Sequence, residues 1–152
     1  MVDLTDNLPE LLEGIAELDR DLADARTAAV ERAVTEGAEE ARTNHRFQSR
    51  TGATVAGIRG YVVASTPTEA TGVLESTAET SALLNDGTRP HTIVPNRARA
   101  LRFEVGGTVV FAMRAEHPGT APDPFFDHGI EKAEEVLVAT FDASLAALLG
   151  ER

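Results

Sequence analysis

Apolar residues in the first third of the chain recur every three or four positions: Leu8, Leu11, Leu12, Ile15, Leu18, Leu22, Ala25, Ala29 and Ala33. That spacing draws one apolar stripe down a helix. Between the stripe residues lie Glu13, Glu17, Asp19, Arg20, Asp21, Asp24 and Arg26, which form a solvated face. Asp6 or Asn7 stands where a cap is expected, and Pro9 falls in the first turn, where its missing N–H costs little. The pattern weakens toward Arg46. Gly14 and Gly37 each disfavour helix by about 1 kcal/mol relative to Ala, so a break is expected near Gly37.

From Tyr61 the pattern changes to that of strands. Tyr61 to Ser65 and Thr71 to Ser76 are β-prone runs separated by Thr66-Pro67-Thr68, as in a hairpin. Ser49 to Gly52 reads as a turn, and Gly57 and Gly60 are expected to keep the next stretch loose. Thr80 to Asn85 is long enough for one or two helical turns, and Asn85-Asp86-Gly87 forces a turn after it. Ala100 to Val105 and Thr108 to Arg114 flank Gly106-Gly107, a two-residue hairpin signal. A proline-rich loop follows, with Pro118, Gly119, Pro122 and Pro124. The last element is helical, with Ile130, Val136, Leu137, Phe141, Leu145 and Leu148 on its inner face, Asp127 as cap and Gly150 as stop. The expected fold is α+β in one domain, residues 1–152. A small antiparallel sheet with a projecting hairpin, about Ile93 to Glu116, packs against a long N-terminal and a C-terminal helix.

Charge changes this picture more than length does. Twenty-five acidic residues face 14 basic ones, a formal net charge of −11. Such a surface repels nucleic acid, whose binding is driven by cationic neutralisation of phosphates. Only Lys132 is lysine; every other basic residue is arginine. Acid excess with scarce lysine fits a halophilic host and fits codon bias equally. Residues 1–10 are acidic and lack the basic and apolar regions of a signal peptide. No apolar run approaches the roughly 20 residues that span a bilayer, so synthesis and use in the cytoplasm, without membrane contact, are expected.

Catalytic patterns are missing. The absence of cysteine excludes disulfides, thiolate metal sites and cysteine nucleophiles. His45, His91, His117 and His128 show no metal-ligand spacing on a helix, and no HExxH is present. Ser49, Ser65, Ser76, Ser81 and Ser144 stand in no GxSxG elbow. Gly106-Gly107 lies inside a hairpin with no lysine after it, unlike a phosphate loop. Glu39-Glu40 and Glu134-Glu135 are expected solvated surface at this acid content. Arg97, Arg99 and Arg102 form a local basic cluster, read as salt bridging at a strand edge ahead of DNA contact. No catalytic residue, cofactor or metal is expected.

Two segments carry a more specific signal: Leu83-Leu84-Asn85-Asp86-Gly87-Thr88-Arg89-Pro90-His91-Thr92-Ile93, and His117-Pro118-Gly119-Thr120-Ala121-Pro122-Asp123-Pro124-Phe125-Phe126. Together they resemble the tail-completion, or head–tail joining, proteins of tailed bacteriophages and related archaeal tailed viruses. In that family a "GT-x-PH-x-I" turn precedes a long hairpin, and an "HPGT-x-x-x-PF" loop leads into the last helix. The upstream "TG" turn of the family matches Thr51-Gly52, although Phe47-Gln48-Ser49-Arg50 lacks the proline usual before it. Ala82, Leu83 and Leu84 replace the aromatic residues common before the "GT" turn. The resemblance spans about Leu8 to Leu149. It implies a non-enzymatic virion protein of the neck, forming a homo-oligomeric ring, in particular a hexamer, between a head-side connector or stopper protein and the tail tube protein. Genomic DNA would meet it only while passing through the lumen, which a negative surface would keep from sticking. Gly87, Thr88, Arg89, Pro90, His91, His117, Pro118, Gly119, Thr120, Pro124 and Phe125 are the expected structural motif and interface. A tail terminator or head-completion stopper is the alternative in the same class. An acidic DNA mimic, such as an antirestriction protein, is the alternative in another.

Overall fold

A computed structural model describes residues 7–49 and 51–150. Asp6, named above as a possible cap, and Arg50, in the turn before Thr51-Gly52, lie outside the described residues. The elements are α1 (Leu8–Thr43), α2 (Ala53–Gly57), β1 (Ile58–Ser65), β2 (Ala70–Ser76), α3 (Ser81–Asn85), β3 (His91–Ile93), β4 (Leu101–Val105), β5 (Thr108–Ala112), β6 (Ala115–His117) and α4 (Phe125–Gly150). The fold is α+β, with its strands in three separate two-stranded antiparallel sheets, β1–β2, β3–β6 and β4–β5, rather than one small sheet. The chain divides into two compact units, Met1–Ala78 with Phe125–Arg152, and Glu79–Pro124. The first unit holds α1, α2, β1–β2 and α4, and the second holds α3 and the other two sheets.

In the first unit α1 is the common partner of the other elements. Asn7 takes the cap position without a side-chain bond, and Pro9 lies in the first turn as expected. The helix does not break at Gly37. It runs on to Thr43 because α4 crosses there at backbone contact: a Cβ added to Gly37 would stand 2.5 Å from the Gly129 carbonyl oxygen and 2.8 Å from Ala133 Cβ. Close packing of α4 on a residue without a side chain offsets the cost of glycine in a helix. Gly129 faces Ala41 in the same way, and Ala29, Ala33, Ala38 and Ala41 are buried along this side. Small residues let the two helix axes approach closely.

The β1–β2 sheet covers α1 over its C-terminal half. Gly60 and Gly72, both within strands, lie against Val34 and Val30. Gly60 therefore serves a strand that must approach a helix, not a loose stretch. Arg42 donates from Nη2 to the Ile58 carbonyl at 2.7 Å, the Thr27 and Ser65 hydroxyls meet at 2.7 Å, and Arg26 donates to the Pro67 carbonyl at 2.9 Å. The sheet thus tracks α1 from residue 42 back to residue 26.

Phe125 and Ile58 are the largest fully buried side chains of the described residues. The Phe125 ring packs edge-on against Phe47, with centroids 5.0 Å apart, and Phe47 stacks on His45 at 4.1 Å. These contacts anchor the start of α4 to the segment following α1. Asp127 is in the first turn of α4 rather than at its cap, where a carboxylate still complements the helix dipole. Of the expected inner face of α4, Val136 is buried, Phe141, Leu145 and Leu148 are half-buried, and Ile130 and Leu137 stay exposed. No helix among the described residues is long and apolar enough to cross a membrane.

Candidate functional site

The two sequence motifs, separated by more than 20 residues of chain, form one ladder. Thr88 and Thr120 exchange backbone hydrogen bonds at 2.9 and 3.1 Å. In the same register His91 pairs with His117, Thr92 with Glu116 and Ile93 with Ala115. That register sets Pro90 opposite Pro118. Neither has an N–H to donate, so the ladder is interrupted between the threonine bridge and β3–β6. The strands remain joined by side chains: the Thr92 hydroxyl donates to Glu116 Oε2 at 2.7 Å, and the His91 and His117 rings stack with centroids 5.0 Å apart. The Gly119 N–H donates to His117 Nδ1 at 3.1 Å, and His91 Nδ1 lies 2.9 Å from the Arg89 carbonyl oxygen.

Two glycines make this pairing possible. Gly87 and Gly119 hold φ of 73° and 89°, a region that L side chains rarely adopt. Each also lies against the opposite segment. A Cβ at Gly87 would stand 2.6 Å from the Thr120 carbonyl oxygen, and one at Gly119 would collide with the Thr88 carbonyl. The Asp123 N–H then donates to the carbonyls of Leu84 and Asn85, closing the segment onto α3.

Gly87, Thr88, Arg89, Pro90, His91, His117, Pro118, Gly119, Thr120 and Pro124 therefore share the second unit, while Phe125 belongs to the first. The ladder is the base of the expected long hairpin, and β4–β5 is its outer part. Gly106 and Gly107 make the turn between β4 and β5 with φ of 57° and 81°, the type I′ geometry that a two-residue hairpin favours. Val105 pairs with Thr108 and Phe103 with Val110.

Sequence reasoning missed how little of the apolar surface is covered. On the outer hairpin Phe103, Val105, Val109, Phe111 and Met113 are exposed, the last two by 67% and 70%. A two-stranded ribbon with this much open apolar surface has little stability of its own. On α1, Leu8, Leu11, Leu12 and Ile15 are all exposed, Leu11 by 60%. The reason lies in how far the partners reach. α4 runs antiparallel to α1, with Gly129 at Ala41 and Ala133 at Gly37, so at the common helical rise it ends opposite about residue 20. The β1–β2 sheet ends at residue 26. The first dozen residues of α1 have neither as a neighbour, and among the described residues the dip around Gly14 is lined by Asn7 and the first turns of α1.

Charge divides along the same lines. The second unit has five acidic residues and five arginines, so the net charge of −11 resides entirely in the rest of the chain. Residues 7–24 hold Glu10, Glu13, Glu17, Asp19, Asp21 and Asp24 against Arg20 alone, whereas residues 94–114 hold Arg97, Arg99, Arg102 and Arg114 against Glu104 alone. The salt bridges expected of Arg97, Arg99 and Arg102 are not formed among the described residues. The ion pairs among the described residues are Arg32–Glu36, Arg42–Glu39, Arg114–Glu116 and Lys132–Glu135.

No three His, Asp or Glu side chains among the described residues gather as a metal site. His128, in the first turns of α4, has a buried Nδ1 without a hydrogen-bond partner. No family model, curated protein or solved structure matches the chain.

Proposed function

We propose that this chain is a non-enzymatic virion protein of the neck of a tailed virus, a subunit of a ring, in particular a hexamer, that joins the head-side connector or stopper to the tail tube. What carries the reading is the pairing of the two motifs. The segments that resemble head–tail joining proteins meet residue for residue in one ladder, which supports a hairpin whose apolar side chains have no cover. Rigid turns at the base fix the direction of the hairpin and reduce the entropy lost when it docks. In a head-to-tail ring each subunit offers one surface forward and another backward, and two distinct uncovered apolar surfaces suit that arrangement.

The test is cryo-electron microscopy of purified particles of the virus that encodes the chain. A closed ring of this chain at the head–tail junction is expected, with DNA free to pass through its centre. A ring at the far end of a headless tail would reassign it as a tail terminator, and one closing tailless heads as a stopper. Absence from particles would overturn the reading and favour a protein acting in the host cytoplasm, such as the acidic DNA mimic.

A further inference from the structure

We propose that the uncovered N-terminal part of α1 docks on the β4–β5 hairpin of a second copy of this chain. The contact deepens the ring reading and rests on it only for its head-to-tail direction. Three observations meet here. Leu8, Leu11, Leu12 and Ile15 form an exposed apolar strip on α1, and Val109, Phe111 and Met113 form another on one face of the hairpin, the face that also carries Arg102 opposite Phe111. From Leu8 to Ile15 the helix rises about 11 Å, and Val109 to Met113 span about 13 Å of strand, so the strips match in length. Their borders match in charge: Glu10, Glu13 and Glu17 flank the helical strip, while Arg97, Arg99 and Arg102 flank or lie within β4, and none of the six forms an ion pair with another of the described residues.

The same surface on two facing copies would set acid against acid or arginine against arginine. Like charges brought together at an interface are unfavourable, so charge selects the unlike pairing of helix with hairpin. An unlike pairing leaves the pair with one free helix on one copy and one free hairpin on the other, and the contact propagates until rotation closes it. This also accounts for a hairpin too small to hold itself rigid: its second face is supplied by its neighbour.

Charge reversal in the full chain tests the contact. One variant carries E10R, E13R and E17R, the other R97E, R99E and R102E, with circular dichroism to verify folding. Each alone should self-associate about tenfold or more weakly than the unaltered chain in sedimentation. Mixed, they should recover, because reversed helix meets reversed hairpin and unaltered helix meets unaltered hairpin. Since the chain has no cysteine, L12C and F111C variants report even a weak contact. Oxidising their mixture should give the mixed dimer above either homodimer, and E131C in place of L12C should not. Association unchanged by both reversals, a mixture that stays apart, or a disulfide that forms only within the L12C/F111C double variant would overturn the proposal. So would a hairpin reversal that abolishes binding to a DNA duplex and leaves self-association intact. A neck ring that survives both reversals would remove this contact and keep the neck reading. Absence from particles with the cross-link intact would do the converse.

Discussion

The two halves of α1 continue one stripe on one helix, yet they differ in what covers them. From Ala29 to Ala41 the stripe is alanine, valine and glycine, and it is buried under α4 on one side and β1–β2 on another. From Leu8 to Ile15 it is leucine and isoleucine, and it is exposed. Hydrophobicity ranks the halves in the opposite order from burial. Where partners lie in the same chain, small residues have been used to bring backbones into contact, and close packing supplies the stability. Where neither α4 nor the β1–β2 sheet reaches the helix, the side chains are large and exposed, with more apolar area to bury against a partner.

The comparison can be broken most severely at the anchor of the packed half. Phe125→Ala should cost about 3–5 kcal/mol, seen as a large fall in the midpoint of thermal or urea unfolding, because the ring is fully buried against Phe47. Next comes Gly37→Ala, which should lose about 1–3 kcal/mol by overpacking even though alanine is the better helix former, since its Cβ would meet the Gly129 carbonyl. A gain in stability would mean that α4 does not cross at Gly37. The smallest effect is expected in the other half. Leu11→Ser with Leu12→Ser should change the stability of the dilute chain by no more than about 0.5 kcal/mol per site, as at other exposed positions, while weakening self-association. A large loss of stability there would show that this half is already packed within the chain.

Much of this was legible in the sequence. Repeating apolar residues placed α1 and α4, and Gly106-Gly107 placed the β4–β5 turn. The two motifs indicated the hairpin that their pairing closes. Periodicity, however, reports which side of a helix is apolar and says nothing about whether the chain contains a cover for it, so the exposure of Leu8 to Ile15 was not foreseen. Glycine misled for a related reason. Gly37 and Gly60 weaken a helix or strand taken alone, but here they mark places where a second backbone lies too close for a side chain, which only the tertiary structure reveals. Arg97, Arg99 and Arg102 looked like partners for nearby acids, but no such ion pairs form among the described residues.

Hydrogen exchange of the two halves, in dilute chain and in the proposed ring, compares them most directly. Amides of residues 29–41 should be protected in both states, since their cover is internal. Those of residues 11–18 should exchange through local fraying in the dilute chain and become strongly protected in the ring. Protection of residues 11–18 already in the dilute chain, or none gained on assembly, would contradict the assignment of that half to a neighbouring copy.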